Sequence, residues 1–542
     1  MNKILCLLFI FIFLPSCAPI FVPQSNQPIV TIEQPTTPSP IPNYTATFTE
    51  TFTPTSFPPG FTPSAANPAP TPICYEGPVE ELEFNLPAPS DLKWETVNSF
   101  QRLSGVDAPV NAAYPSPDGR WWVIEFVTKR ESTQYELSLE EALYVLDSLE
   151  NKHWIASPNG KDNFHRFDWF PNGDLLWVDE SRLYQASADG QDKQAIQGPE
   201  PVIEVWLDKI TGSHALVGGP SALWRLDLSS SRWEKVQGLE GLAKNGEPPI
   251  SQTQANLRMS NDGSFGALLA DHQVWKVPMA FGEPAHKIGE VDYSDESWRP
   301  EAPQPLADSP YWYPGRDAYD PRKADSQERS LVLINEEDGS LLSLEDIVPT
   351  DFGNFLSLHI SPNGSWVSIY NGERFNLAAI YIAPASQLKS GKVITDVGYI
   401  LDWDVTEVRS SYPGRVNHPD IAFVTKGDFL AGTATLDQID LATGETRLVK
   451  ELLYTNFIPI LKMTWVNNTP ILTEGEIIFQ IAEAGTFQPI GKVPEIQPYE
   501  YPKLLTGGTK DQLLFTTAVD KAMDNICRTQ YSLYIAKLDS IK

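Results

Sequence analysis

Short apolar segments recur along the chain from about residue 92, and each is followed by a tight turn rich in Pro, Asn, Asp and Gly. The repeating unit is an apolar strand, such a turn, a second apolar strand, a short gap, and a third strand that ends in another turn. Proline presets one turn dihedral and glycine accepts a positive φ, while β-branched and aromatic residues suit a pleated, buried sheet. Each unit therefore predicts one small antiparallel sheet.

The copies differ in clarity. Three have an unmistakable first strand, turn and second strand, and they are Ala113–Gly119 with Trp121–Val127, Phe167–Gly173 with Leu175–Val178, and Leu358–Gly364 with Trp366–Tyr370. Their third strands are predicted at Ala142–Asp147, Arg182–Ala186 and Ala379–Ala383. Weaker copies are Val202–Leu207 with Leu223–Asp227, Leu257–Gly263 with Val274–Val277, Ile421–Gly427 with Gln438–Leu441, Lys462–Asn467 with Ile477–Ile481, and Lys503–Leu538.

These units predict an all-β fold, because small sheets with two apolar faces bury them by packing face to face around an axis. We expect a single β-propeller of about eight four-stranded antiparallel blades, with seven as the near alternative. A tandem of β-sandwiches is the other fold considered. Lys93–Leu103 is expected to complete the last blade from the N-terminal side. A ninth copy is left open between Glu290 and Val348, where Leu331–Asn335 and Glu337–Gly339 look like a strand and its turn.

The strings Ser-Pro-Asp-Gly at 116–119 and Ser-Pro-Asn-Gly at 361–364 resemble the WD40-like (PD40) repeats of TolB-type bacterial β-propeller lipoproteins. The resemblance covers most of residues 112–540. It implies the propeller fold, and it implies no particular function because the motif is short and degenerate and propellers host many activities.

The N-terminal pattern predicts a secretion signal. After Lys3, the apolar segment Ile4–Leu14 is too short to span a bilayer but suits a secretory signal. It ends in Leu-Pro-Ser-Cys at 14–17, which resembles the bacterial lipobox, whose cysteine is acylated and becomes the new N-terminus. Pro15 is unusual in that motif, and an ordinary signal peptide is the alternative. We expect an extracytoplasmic protein that a lipid on Cys17 holds to the bacterial membrane or cell surface.

Residues 18–73 are dominated by Pro and Thr and have no periodic apolar pattern, which predicts a disordered stalk. The propeller domain is then expected over residues 74–542. Because Cys6 leaves with the signal and Cys17 carries the lipid, Cys74 and Cys527 remain in an oxidising compartment. They predict a disulfide between the two ends of the propeller, with two unpaired cysteines as the alternative.

The chain has 40 Lys and Arg against 70 Asp and Glu, a formal net charge of −30. Such a surface repels phosphate backbones, so nucleic acid is not expected as a partner, and the acidity suits a soluble monomer. The membrane is expected to be contacted through the lipid anchor alone.

The sequence contains none of the common signatures for zinc hydrolysis, nucleophilic serine, phosphate binding or calcium loops. Its seven histidines never pair at metal-ligand spacing, so neither metal nor cofactor is expected. Asp402-Trp403-Asp404 is the best local candidate for sugar cleavage, since an aromatic ring between two acids could stack a sugar. Strand alternation makes a solvated pair of acids the alternative.

Two segments interrupt the repeat, Asp292–Asp325 and Asp402–His418, and loops on a rigid scaffold usually carry binding. Clustered aromatic rings beside arginine suit protein interfaces and glycan platforms, although the rings could instead pack the loop onto the propeller. The candidate binding residues are Trp298, Tyr311, Trp312, Tyr313, Arg316, Tyr319 and Trp403. The favoured function is a non-catalytic binding or scaffolding module for protein or glycan. The alternative is an extracellular carbohydrate-active enzyme with acids at the propeller axis.

Overall fold

A computed structural model describes the chain between residues 82 and 537. Its longest gaps are 243–255, 294–301, 324–330, 401–420, 453–461, 495–502 and 505–511. All described residues belong to one compact unit, Pro68–Lys542. They form β-strands, with short 3-10 helices at Pro89–Asp91, Pro321–Lys323, Leu344–Asp346 and Ala385–Ser390.

Three strands precede the first blade, and they are β1 (Leu82–Glu83), β2 (Lys93–Val97) and β3 (Phe100–Ser104). Blade 1 consists of β4 (Val110–Pro115), β5 (Trp121–Ser132), β6 (Leu137–Asp147) and β7 (His153–Ser157). Blade 2 consists of β8 (Phe167–Trp169), β9 (Leu175–Asp179), β10 (Arg182–Ala186) and β11 (Gln194–Ile196). Blade 3 consists of β12 (Glu204–Leu207), β13 (His214–Gly218), β14 (Leu223–Asp227) and β15 (Arg232–Lys235). In each blade the strands pair antiparallel in sequence order, and β1 adds to β5.

Blade 4 consists of β16 (Asn256–Met259), β17 (Phe265–Ala270), β18 (Gln273–Pro278) and β19 (His286–Glu290). A two-stranded sheet follows, in which β20 (Asp292–Tyr293) pairs with β23 (Ala318–Tyr319). Blade 5 consists of β21 (Gln304–Pro305), β22 (Tyr311–Tyr313), β24 (Val332–Asn335) and β25 (Leu341–Ser343). Blade 6 consists of β26 (Leu356–Ile360), β27 (Trp366–Asn371), β28 (Ala378–Pro384) and β29 (Lys392–Ile400).

The described strands of blade 7 are β30 (Ile421–Asp428), β31 (Thr433–Asp440) and β32 (Thr446–Leu452), and β29 pairs with β30, so blades 6 and 7 share one sheet. Blade 8 consists of β33 (Lys462–Val466), β34 (Thr469–Glu474), β35 (Ile477–Ile481) and β36 (Phe487–Lys492). Blade 9 contains β37 (Lys503–Leu504), β38 (Gln512–Met523) and β39 (Ile526–Lys537). The N-terminal strand β3 pairs with β39, and β2 pairs with β3, which confirms that residues 93–103 complete the last blade.

The protein is thus an all-β propeller of nine blades, and the expectation of eight or seven blades was wrong. The additional copy is blade 5, which lies in the stretch between Glu290 and Val348. Its first strand has only the two residues Gln304–Pro305, and residues 314–331 separate its second strand from its third. A strand so short carries almost no alternating pattern, which is why the repeat was hard to recognise there.

Hydrophobic clusters between neighbouring blades hold the ring together. Among the described residues there are nine clusters, and each combines residues of two adjacent blades. One of them packs Trp122 and Ile124 of blade 1 against Leu514 and Leu533 of blade 9. Because this cluster joins the last blade to the first, the ring is closed.

The repeated turn explains why the sequence folds this way locally. In blade 1 the Ser116 hydroxyl donates to Asp118 Oδ1 (2.5 Å), and the Arg120 N–H donates to the same oxygen (3.0 Å). Gly119 follows with φ +76°, where other residues are strained. The turn after β16 repeats this arrangement with Asp262, which accepts from the Ser260 hydroxyl at 2.7 Å.

Candidate functional site

The two faces of the ring carry very different connections. Consecutive strands are antiparallel, so the links from first to second strand and from third to fourth emerge on one face, which we call the turn face. Examples on the turn face are 116–120, 170–174, 208–213, 228–231 and 260–264, all of them tight. The remaining links emerge on the opposite face, which we call the loop face.

Among the described residues, the loop face carries the connections between blades. The link 197–203 crosses this face, and the described starts of two further links, 236–239 and 291–293, leave their blades on it. The two-stranded sheet of β20 and β23 lies on this face as well. The hairpin β5–β6 of blade 1 and the hairpin β38–β39 of blade 9 are much longer than their counterparts in other blades. The strands of both hairpins extend toward the loop face, and the two hairpins stand on adjacent blades.

The structure corrects the placement of two predicted binding residues. Trp312 and Tyr313 lie on β22, and their side chains are 0% and 3% exposed. Trp312 packs between blades 4 and 5 and its indole N–H donates to Glu336 Oε2 (2.9 Å), while Tyr313 packs between blades 5 and 6. Both are core residues of a blade, in agreement with the alternative that the rings pack the segment onto the propeller.

The other predicted residues have mixed positions. Tyr311 and Tyr319 are half-buried and pack against the cluster between blades 5 and 6. Near Tyr319, the Arg322 guanidinium donates to both oxygens of Asp320 (2.8 and 2.7 Å). Trp298, Arg316, Trp403, Cys17 and Cys74 lie outside the described residues, as do Asp402 and Asp404. Cys527 lies on β39, opposite Ala522.

The innermost strands of blades 2 and 3 bring together a set of polar residues that sequence reasoning missed. The first strands of neighbouring blades lie closest to the axis, and β12 contacts both β8 and β16. We call His165, Asp168, Glu204 and Lys209 the axial cluster. Asp168 lies on β8 and Glu204 on β12, with His165 just before β8 and Lys209 just after β12.

Asp168 is the most strongly bound member of the axial cluster. Its Oδ1 lies 3.1 Å from Lys209 Nζ, and its Oδ2 lies 3.1 Å from His165 Nε2. The N–H of Leu207 also donates to Oδ2 (2.8 Å). Burial opposes ionisation, but Lys209 and His165 more than offset it and lower the pKa of Asp168 to about 2. Asp168 therefore stays charged and joins blades 2 and 3.

The environment of Glu204 favours the neutral carboxyl group, whereas that of Asp168 favours the carboxylate. Its side chain is 6% exposed, and Oε1 accepts one hydrogen bond, from the His165 N–H (3.1 Å). Among the described residues Glu204 forms no ion pair. Burial without a compensating charge raises its pKa to about 8, so the carboxyl group is neutral at pH 7.

Further polar groups follow along the inner strands. Asn111 Nδ2 donates to Glu141, and the Tyr114 hydroxyl donates to Glu125 Oε2 (3.3 Å). Farther round the ring, Arg258 of β16 donates to Gln304 Oε1 of β21 (2.6 Å) and so links blades 4 and 5. The first two contacts lie within blade 1. Polar side chains therefore join blades 4 and 5, as they join blades 2 and 3, in addition to the apolar packing.

The sequence contained a signal for the axial cluster. The string Phe-Asp-Trp at 167–169 and the string Glu-Val-Trp-Leu at 204–207 place an acid inside a strand that is otherwise apolar. A buried acid requires a partner or a neutral state, which marks the position as unusual. Nothing in the sequence indicated that the two acids lie on adjacent blades.

Two negative findings concern the described residues alone. No group of three or more His, Cys, Asp or Glu among them is arranged to hold a metal ion. Within the same part of the chain, no helix is long and apolar enough to cross a membrane.

No protein-family model and no curated protein matches the chain. Among solved structures, the tricorn protease is 9% identical with a TM-score of 0.31, and the match covers 75% of this chain and 47% of that one. Dipeptidyl peptidase 4 of Porphyromonas gingivalis is 14% identical with a TM-score of 0.39, covering 67% of this chain and 59% of that one. TolB of Acinetobacter baumannii is 12% identical with a TM-score of 0.25, and the match covers 53% of this chain and 65% of that one.

The matches thus span less than two thirds of each of these proteins. Similarity at this level assigns neither a family nor an activity. The propeller fold rests on the strand order of the chain itself, and membership of the PD40 repeat type stays a prediction.

Proposed function

We propose that the protein is a non-catalytic binding or scaffolding module that holds a protein or glycan ligand on its loop face. The observation that carries this proposal is the asymmetry between the two faces. Among the described residues, the turn face carries tight turns, while the link 197–203 lies on the loop face and the long hairpins β5–β6 and β38–β39 extend toward it. A rigid closed ring that presents long loops on one side is the usual arrangement for recognition.

The state of the axial cluster favours binding over catalysis. Asp168 is 3% exposed and is held by Lys209, His165 and the Leu207 N–H. A carboxylate in that position joins two blades and is not presented to a substrate.

One observation favours the alternative, a carbohydrate-active enzyme with acids at the axis. Asp168 and Glu204 lie on the innermost strands of adjacent blades, and their pKa values of about 2 and about 8 differ widely. An ionised and a protonated carboxyl group together are what glycoside hydrolysis requires. This keeps hydrolysis as the second candidate.

The cellular setting is part of the proposal. A lipid on Cys17 would hold the protein to a bacterial membrane or cell surface, with residues 18–73 as a stalk. Cys17→Ala should move the protein from the membrane fraction to the soluble extracytoplasmic fraction. A variant that remains with the membrane would contradict the anchor.

The loop face can be tested by blocking each face in turn. Gln197 is exposed on the loop face and Ser230 is exposed on the turn face. Each is replaced by an azide-bearing residue that is coupled to polyethylene glycol, and binding is then measured on a glycan array and against surface proteins of the source cell. We expect the polymer at position 197 to reduce binding and the polymer at 230 to leave it unchanged. Equal effects at both positions would contradict a loop-face site.

A hydrolysis screen on the same sugars separates the two candidate functions. Binding without turnover supports the module. Turnover that Glu204→Gln or Asp168→Asn abolishes would replace the binding proposal with the enzyme.

A further inference from the structure

The boundary between blades 9 and 1, here called the seam, includes the outer strand β7 of blade 1. Side chains point alternately to the two faces of a strand, and Trp154 packs toward blade 2 while Ile155 packs in the cluster between blades 1 and 9. His153 precedes Trp154 and lies opposite Leu146, which belongs to the seam cluster as well. The alternation therefore places the His153 side chain at the seam.

Strand β2, the outermost strand of blade 9, is fastened to blade 1 beside this histidine. The Trp94 N–H of β2 donates to Asn151 Oδ1 (2.9 Å), and the indole N–H of Trp94 donates to the Asp147 carbonyl (2.7 Å). Both acceptors lie at the connection from β6 into β7, which begins with His153. The 3-10 helix Pro89–Asp91 also contacts β7.

The closed seam leaves several buried polar atoms unpaired. Both ring nitrogens of His153 are buried, and neither forms a hydrogen bond in the described part of the chain. Also at the seam, Trp122 Nε1 and Gln512 Oε1 are buried without such a partner. Buried polar groups are normally paired, and one that is not destabilises the folded state. These atoms would reach water if the seam opened.

A positive charge on His153 fits the closed seam poorly. The nearest carboxylate is that of Asp147, which is itself buried and already paired with Arg120 (2.7 Å). Burial lowers the pKa of His153, although the Asp147 carboxylate and the backbone of Lys152 favour the protonated ring. The closed seam therefore holds the neutral imidazole at pH 7.

The elements around His153 carry other charged groups. They are Arg120, Asp147, Glu150 and Lys152 of blade 1, Asp91 of the 3-10 helix, Lys93, Glu95 and Arg102 of β2 and β3, and Asp179 of β9 on the blade 2 side of β7. Carboxylates ordinarily titrate below about pH 5 and lysine and arginine above about pH 10, whereas histidine titrates near pH 6.5. His153 is the one histidine at the seam among the described residues, so we expect it to change charge there in mild acid.

We propose that the seam is a pH-sensitive closure, which loosens when His153 is protonated in mildly acidic surroundings. The neutral ring fits the closed seam, whereas the charged ring is stabilised by the water that an open seam admits. The hairpins β5–β6 and β38–β39 stand on the two blades that meet here, so loosening would change their spacing. The inference goes beyond the proposed function, because it concerns the ring and holds with or without a loop-face ligand.

The sign of the effect follows from proton linkage. The open seam binds the proton with the ordinary histidine pKa of 6.5, and the closed seam binds it less readily. Closure therefore weakens as the pH falls below 6.5. Glu204 acts in the opposite direction, because its raised pKa makes the whole protein more stable as the pH falls from 8 to 4.5. A local measurement is therefore needed to isolate the seam.

The test is hydrogen exchange of the whole protein, followed by mass spectrometry at pH 7.5 and at pH 5, with rates corrected for the intrinsic effect of pH. Backbone amides exchange when the structure around them opens. Peptides that cover β2 and β3 report on the seam. Peptides that cover β24 and β25 of blade 5, which contain no histidine, are the internal reference.

The variants are His153→Leu and His153→Gln, neither of which can be protonated in this range. Two variants are used so that one remains if the other fails to fold, and circular dichroism with thermal unfolding checks both. The matched control is His286→Leu, because His286 is likewise the first residue of an outer strand, β19, but is exposed and lies in blade 4.

In wild type and in His286→Leu, we expect acid to speed exchange at β2 and β3 at least about threefold relative to the blade 5 reference. In the two His153 variants, the corrected rates at the two pH values should agree within about 1.5-fold. The difference between these pairs of proteins assigns the effect to the imidazole.

Three results would overturn the inference. Equal acceleration by acid in wild type and the folded His153 variants would assign it to another group. Acceleration of the same size in the blade 5 reference would show that the whole protein loosens and not the seam. Unchanged exchange at β2 and β3 in wild type would show that acid does not open the seam. The face-blocking experiment decides the proposed function separately.

Discussion

At the scale of single residues, burial distinguishes aromatic rings that pack the core from rings that could bind a ligand, as the segment around position 312 shows. Five aromatic residues in one segment predicted a binding surface, yet Trp312 lies in the core with 0% of its side chain exposed. It contacts the Phe265 ring at 5.6 Å, and its N–H is satisfied by Glu336. An aromatic residue on a two-sided buried strand fills space between blades.

Trp312→Ala should therefore destabilise the protein strongly. Removing a buried Trp leaves a cavity, which typically costs about 3–5 kcal/mol. Urea denaturation followed by circular dichroism measures the change. Leu149→Ala is the control, since Leu149 is 57% exposed and its loss should change stability by no more than about 0.5 kcal/mol. Unaltered stability of Trp312→Ala would contradict the packing described for β22.

The two axial acids should give stability opposite dependences on pH. Asp168 has a folded pKa of about 2, below its ordinary 3.8, so its stabilisation is present above pH 3.8 and is lost as the pH falls toward 2. Glu204 has a folded pKa of about 8, above its ordinary 4.5, so stability declines as the pH rises from 4.5 to 8.

Urea midpoints at pH 5, 7 and 9 test the second half of this prediction. Glu204→Gln should lose less stability than wild type between pH 5 and pH 9. If the urea midpoints of the two proteins changed by the same amount between pH 5 and pH 9, Glu204 would not titrate in this range.

At the scale of elements, blades with a full Pro/Asn/Asp-Gly turn could be located from sequence. The turns around Gly119 and Gly173 were placed correctly, because both turns require a positive φ and glycine is the residue that adopts it readily. Blade 5 was left open as a ninth copy and was not counted, because its first strand, Gln304–Pro305, is too short for periodicity. The axial cluster was missed because pairing between Asp168 and Lys209 depends on which blades are adjacent, and a local pattern does not contain that information.

Strand β3 precedes the first blade in sequence, but it should contribute to the stability of the closed ring. Leu103 is 2% exposed and lies opposite Leu533 in the last blade. Leu103→Ala should lower the free energy of unfolding by about 2–5 kcal/mol, as for other buried leucines. Gln101→Ala on the same strand is the control, and it should cost less than about 1 kcal/mol. If thermal unfolding were the same for both variants, β3 would not contribute to closing the ring.

At the scale of the whole molecule, the ring is closed by packing between blades 9 and 1 and by pairing of β3 with β39. The predicted bond between Cys74 and Cys527 would add a covalent link between the start of the predicted domain and blade 9. Cys527 lies near the tip of the β38–β39 hairpin. The hairpin β5–β6, to which β1 adds through Leu82 and Arg130, stands on the adjacent blade.

The disulfide remains a prediction with a direct assay. Mass mapping of unreduced peptides from exported protein should find Cys74 joined to Cys527. A closed loop of that length stabilises by about 5 kcal/mol in the chain-entropy treatment, so reductant should lower the melting temperature. Cys527→Ser should melt at the lower temperature without reductant, and Cys17→Ala should not. Free thiols at both positions would rule out the bond.

The shared last blade also sets an order of events during synthesis. A chain emerges from the ribosome N-terminus first, so the β2–β3 hairpin exists long before its partner strand. Gln101 can pair with Ile535 only after the chain has been made as far as residue 535. Until then, the nascent protein carries an unpaired strand edge, and such edges invite pairing with other chains. A premature stop within β39 would therefore be more damaging than the number of lost residues implies, because it would leave both ends of the ring without a partner.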